Sequence, residues 1–181
     1  MKDLRNIIKK TIQVFLNEHI NNSIKWIKPE FETEEDEFTG HFFDWVKYNA
    51  LKNYSDEDFY NFWNNIEDEY NNANVELLND DEWFKMDNTD SWEIHTEDDL
   101  FDVIHIYGRD KERIIKYAIK PIKEGGIVET PIVAYANGHP PYLVAGNTRL
   151  SVCRMLGIRP MVTKVIIPNP MDIWEIKAFY L

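Results

Sequence analysis

The stretch Tyr142–Pro160, YLVAGNTRLSVCRMLGIRP, carries Gly146, Asn147, Thr148 and Arg149 where an apolar strand pattern turns into a helical one. A helix start presents backbone N–H groups without intrahelical acceptors and the positive end of the helix dipole. The chemistry it suits is anion binding. Glycine lets a ligand approach the backbone closely, Asn147 and Thr148 bring donors, and the Arg149 guanidinium can fork onto phosphate oxygens. The same residues also have a plainer use, because Asn147 and Thr148 are good N-cap residues and an arginine beside them can form a surface ion pair. Spacing alone leaves both readings open.

Other reactive side chains are sparse. Cys153 is the only cysteine, so neither an internal disulfide nor a cysteine-rich zinc site is possible; at its spacing from Leu150 it belongs on the inner face of the helix that Gly157 ends. His139 in NGHPP reads as a turn residue rather than a general base. His95 with Asp98 and Asp99 lacks the spacing of a defined metal site and reads as a solvated loop.

The elements that must hold these residues follow from periodicity. IVETPIVAYANGHPPYLVAG is read as strand, Asn-Gly turn and strand, MVTKVIIP as a further strand, and DKERIIKYAIKPIKEGG as a helix closing near Gly126. Upstream, Leu4 to Ile20 repeat at helical spacing, and HFFDWVKYNALKNY reads as a second helix. Ser55 with Asp58 forms a capping box for a third helix, whose stripe is Phe59, Phe62, Trp63, Ile66 and Tyr70. That stripe is core or partner interface, since acids surround it and base-stacking platforms are normally basic. The acidic stretch from Asp80 to Asp99 is expected to be a loop with one short strand, and the tail DIWEIKAFYL a helix packing back.

The 181 residues suffice for one ordinary domain, or a small domain with a helical extension, and the aromatic content excludes wholesale disorder. There is no apolar run of membrane-spanning length and no cleavable apolar leader. The expected location is therefore the cytoplasm. Charge divides the chain: residues 1–110 hold 27 acids and 10 bases, whereas residues 111–181 hold 5 acids and 10 bases. A basic module can attract phosphate locally while the remaining surface stays negative.

The order DKERIIKYAIKPIKEGG, GIVETPIVAYANG, PYLVAGNTRLSVCRMLGI, MVTKVIIP resembles the ParB/sulfiredoxin superfamily over the C-terminal part of the chain. The resemblance implies an α+β fold: a ParB/sulfiredoxin-like small mixed sheet with helices over residues 81–181, preceded by an all-helical acidic extension over 1–80. It also implies that Gly146, Asn147, Thr148 and Arg149 bind the phosphates of a nucleotide such as ATP. Sulfiredoxins place their reactive cysteine where this chain has Asn147, so sulfinic acid reduction is not expected. Partition ParB proteins follow a Gly-Glu-Arg-Arg corner with a helix-turn-helix, so sequence-specific DNA binding is not expected either. The nearest variant is Gly-His-Thr-Arg, as in free serine kinases and phage or plasmid members, with Asn147 in the place of histidine.

Chemistry beyond binding requires a carboxylate to hold magnesium or activate a nucleophile. Glu129, just before the Pro131-Ile132-Val133 strand that faces the nucleotide in family members, is the catalytic candidate. Its plainer reading is a solvated loop carboxylate. The expected function is therefore a nucleotide-binding protein acting as a hydrolase or phosphotransferase. The alternatives are a non-catalytic interaction protein whose acidic helical part, residues 1 to about 80, docks on a basic partner or mimics nucleic acid charge, and a ParB-like nuclease; a homodimer paired through the aromatic helices is a separate expectation.

Overall fold

The computed structural model describes residues 23–106 and 110–168, together with Ile7. Apart from Ile7, the helix expected over 3–20 lies outside the described residues, as does the tail helix.

Alternation along the strands decides the architecture. In β4 (Ile132–Ala136), Ile132 and Ala134 enter one apolar cluster and Val133 the other; β6 (Met161–Ile167) divides Val165 and Ile167 from Val162 in the same way. A strand buried on both faces needs a layer of structure on each. The central sheet has the order β2-β6-β4-β5, with β2 (Asn74–Leu77) antiparallel to β6, β6 parallel to β4, and β4 antiparallel to β5 (Tyr142–Ala145). A separate ribbon pairs β1 (Lys25–Ile27) in parallel with β3 (Ile127–Glu129), setting Ile27 opposite Glu129.

One covering layer is α1 (Phe31–Phe38), α2 (His41–Trp45) with a π-helical turn over Val46–Ala50, α3 (Asp56–Trp63) and α4 (Ile66–Asn72). Phe38, Phe42, Phe59 and Tyr70 are buried there against Ile132, Ala134 and Val165. Ser55 closes the expected capping box: its Oγ accepts from the Asp58 amide at 3.1 Å while its own amide donates to Asp58 Oδ2 at 3.2 Å. The single helix expected beyond it is broken. After α4 the chain extends and Asn74–Leu77 takes ladder bonds from β6, tertiary pairing that overrides local helical spacing.

The other layer holds α5 (Asp80–Lys85), a 3₁₀ turn over Ser91–Glu93, α6 (Glu97–Ile106) and α9 (Asn147–Leu156). The helix over Lys111–Glu124 completes it, in segments α7 (Lys111–Ile114), a π turn (Ile115–Ile119) and α8 (Lys120–Glu124). The stretch 80–99 is thus mostly helical rather than the expected loop. Six of its nine acids sit in the first turns of α5 and α6, where the dipole favours them: Asp80, Asp81 and Glu82 in α5, and Glu97, Asp98 and Asp99 in α6.

The fold is mixed α+β, and two expectations about residues 1–80 change. This part is not all-helical, since β1 and β2 lie within it, and its described residues form a layer of the common core. Among the described residues no helix is long and apolar enough to cross a membrane.

Candidate functional site

Strand β5 ends at Ala145 and α9 begins at Asn147, with Gly146 between them at φ 97°. The left-handed backbone calls for glycine, and so does crowding, because a Cβ there would lie 2.8 Å from Pro131 Cα. The space expected to admit a ligand at this glycine is taken by Pro131. The N-cap is Gly146 itself rather than Asn147 or Thr148, and no side chain caps the helix. Leu150 and Cys153 are fully buried on the inner face of α9.

Asn147 is committed to the protein. Its Oδ1 accepts from the Thr89 hydroxyl and its Nδ2 donates to Asp90 Oδ1 at 3.1 Å, anchoring the corner to the turn before Ser91. That turn is strapped twice more: Arg154 Nε donates to the Trp92 carbonyl at 2.8 Å, with its guanidinium 3.7 Å from the Trp92 ring centre, and Trp83 Nε1 donates to Ser91 Oγ at 2.9 Å. The corner is therefore held rigidly from behind. Asn88 also reaches over, exchanging hydrogen bonds of 2.8 and 3.0 Å with the backbone of Leu143 and so closing that stretch of the edge strand.

The predicted quartet faces two ways. Thr148 and Arg149 open onto a cleft of about 1020 Å³, together with Glu129, Arg113, Tyr117 and the exposed side chains of Ile27 and Ile127. Gly146 and Asn147 instead line a smaller groove of about 650 Å³ shared with Asn88, Tyr142 and the end of α1. Only the second half of the motif and Glu129 share a cleft.

Arg149 is the junction of the site. Nη1 donates to the Thr130 carbonyl at 3.0 Å and lies 3.8 Å from Glu129 Oε2, while Nη2 donates to Glu34 Oε1 at 3.2 Å. The Arg149 side chain is 20% exposed, that of Glu34 13% and that of Glu129 50%, so the Glu34 pair is the sheltered one and Glu129 reaches into solvent. Behind Glu34, the Tyr70 hydroxyl donates to the Pro29 carbonyl at 2.5 Å; burial first, and the Glu34 charge second, push its pKa above the ordinary range. Beneath the strand junction the Thr130 and Thr163 hydroxyls meet at 2.6 Å, buried.

Glu34, Glu37, Arg113 and Tyr117 are site residues that pattern reading passed over. Arg113 and Tyr117 had a signal, being one turn apart on a helix preceding the motif. Glu34 had a fainter one, since it shares a helical stripe with Phe31 and Phe38, where a carboxylate is out of place. His139 sits in the β4–β5 turn against Trp45 and does not line the cleft. His95 and Thr96 give their amides to Asp99 Oδ2 at 3.0 and 2.8 Å, so Asp98 and Asp99 lie in the first turn of α6, while His95 sits exposed in the loop just before it. Among the described residues no group of three or more His, Cys, Asp or Glu side chains is placed to hold a metal.

Compared with protein-family models, curated proteins and solved structures, the chain matches none of them.

Proposed function

We propose that the cleft beside α9 binds a nucleotide, its phosphates on Arg149 and the first turn of that helix, within a ParB/sulfiredoxin-like unit. The observation that supports this most is the meeting of Thr148, Arg149, Arg113 and Glu129 in one open cleft whose other wall is aromatic and aliphatic. Arginines and first-turn amides suit phosphate oxygens, and the faces of Tyr117, Ile27 and Ile127 suit a flat heterocycle. Glu129, half exposed and already near the guanidinium, is the carboxylate that would hold a magnesium ion against the phosphates. Such an ion would offset charge developing on a transferred phosphoryl group, and hydrolysis or phosphoryl transfer is the activity this reading carries.

Calorimetric titration of ATP, ADP and CTP, with magnesium, into the wild type and Arg149→Ala tests it. Loss of a charge-assisted contact should cost about 1.5–3 kcal/mol, weakening binding roughly ten- to a hundredfold. No binding of any nucleotide to the wild type, or equal binding to both proteins, refutes the reading.

A second reading has its own support. The two hydrogen bonds of the Arg149 side chain go to protein acceptors in different layers, Thr130 and Glu34, which suits a structural strap in a non-catalytic protein whose acidic face meets a basic partner. Under that reading Arg149→Ala loses stability, and no nucleotide protects any variant against heat.

A further inference from the structure

We propose that the outer edge of β2 is a docking edge: an extended segment of a basic partner adds there as an antiparallel strand, with lysine or arginine opposite Glu76 and apolar residues opposite Val75 and Leu77. In the central sheet β2 lies at the opposite edge from β5, which leads into α9, so this pairing is independent of what the cleft binds.

The ladder fixes which backbone groups point outward. The Leu78 amide donates to the Pro160 carbonyl at 3.0 Å, and the register sets Leu77 opposite Met161, Glu76 opposite Val162 and Val75 opposite Thr163. Antiparallel pairs alternate between bonded and non-bonded, so Glu76 bonds to β6, whereas Val75 and Leu77 turn their N–H and C=O groups away from it. Thr163 gives the same phase from the other strand, since its amide points away from β2 and donates to the Pro131 carbonyl at 2.8 Å. No further strand follows β2 in the sheet, and no hydrogen bond among the described residues reaches the outward groups of Val75 or Leu77.

The two edges of the sheet differ. On β5 the Asn88 side chain takes both backbone groups of Leu143, and the ladder to β4 carries a register shift. β2 pairs with β6 in unbroken register and contains neither proline nor lysine, so the usual devices against edge pairing are missing. Leu77, 46% exposed, offers an apolar contact on the face opposite Glu76.

Charge selects the occupant. Residues 66–82, which contain β2 and its flanks, hold seven acids and no base. Three of the bases beside this segment are engaged within the protein: Lys164 with Glu76 at 3.4 Å, Arg159 with Asp80 at 3.9 Å, and Lys28 with the carbonyls of Tyr70, Asn71 and Ala73. With Lys85 at the end of α5 they make four, so seven acids against four bases leave the edge negative. A second copy is a poor occupant, because pairing Val75 of each strand with Leu77 of the other sets Glu76 directly against its counterpart. A cationic residue in that position meets a carboxylate that is 48% exposed and contacts Lys164 through Oε2, leaving Oε1 for the newcomer.

The probe is a capped pentapeptide, threonine-valine-lysine-valine-threonine, titrated into the full chain while amide exchange and shifts are followed by NMR. Controls carry glutamate in place of lysine, or N-methyl groups on both valines. In the free protein the Val75 and Leu77 amides should exchange fast, and the lysine peptide should slow them. That peptide should bind about fivefold more tightly than the glutamate peptide, and N-methylation should abolish binding. Glu76→Lys should reverse the charge preference; Glu76→Gln, the milder change, should erase it. Val75 and Leu77 amides already protected in the free protein overturn the proposal, as does protection that grows with the concentration of the protein alone, which would make the occupant a second copy. Binding indifferent to N-methylation or to the charge at residue 76 overturns it equally.

Discussion

Replacing Arg149 by alanine removes the donor of the Thr130 carbonyl and leaves the Glu34 carboxylate, only 13% exposed, without its cation. Exposed ion pairs contribute about 0.2–1 kcal/mol, whereas breaking a fully buried pair costs about 3–5 kcal/mol. With side chains 20% and 13% exposed and hydrogen bonds of 3.0 and 3.2 Å, this contact lies between those limits. The expected loss is about 2–3 kcal/mol, discounted from the buried case for the water that reaches the guanidinium. Glu34→Gln keeps an acceptor and should cost about 1 kcal/mol. The double variant should be more stable than the sum of the single effects implies, by about 1 kcal/mol, because the second change removes the stranded partner. Urea unfolding followed by tryptophan fluorescence and far-UV circular dichroism measures all three, with the slope checked for constancy. A loss under about 0.5 kcal/mol for Arg149→Ala, with additive effects, would show a solvated contact that ties no layers together.

Gly146→Ala should destabilise the protein by roughly 2–4 kcal/mol, combining a left-handed backbone with a Cβ driven against Pro131, as urea unfolding would measure. Cys153 should resist thiol reagents at pH 8 in the native state and react on unfolding, because it is fully buried and burial pushes its pKa up. Since the folded protein keeps that proton longer, the contribution is complete below the unfolded cysteine value and fades as pH rises above it; Cys153→Ala should flatten this alkaline decline. Asp99 is shifted the other way, its pKa lowered by hydrogen bonds from the Thr96 side chain and the His95 and Thr96 amides. Its stabilisation is present above the unfolded aspartate value and lost as pH falls through the folded one, so carbon NMR of its carboxyl should show a midpoint below that of ordinary aspartates.

Part of this molecule was determined by sequence alone. The strands over 132–136, 142–145 and 161–167, the Asn-Gly turn, the Ser55–Asp58 capping box and the inward face of Cys153 are local signals with local causes and appear where the pattern puts them, whereas the strand read from Ile127 to Ala136 divides, Ile127–Glu129 pairing with β1 outside the central sheet. The motif at the start of α9 was legible for the same reason. What required the tertiary structure is whatever depends on partners far along the chain. Asn74–Leu77 reads as helix until β6 supplies ladder bonds, and the acidic run before residue 100 reads as loop until α9 gives it a surface to pack on. The strand-to-helix corner kept its place but not its assignments: Pro131 fills the space at Gly146, and Thr89 and Asp90 take up Asn147. Glu34 meets Arg149 across 115 residues. Charge patterning cannot single it out among its acidic neighbours, because only burial distinguishes a carboxylate that needs a cation from one that needs only water.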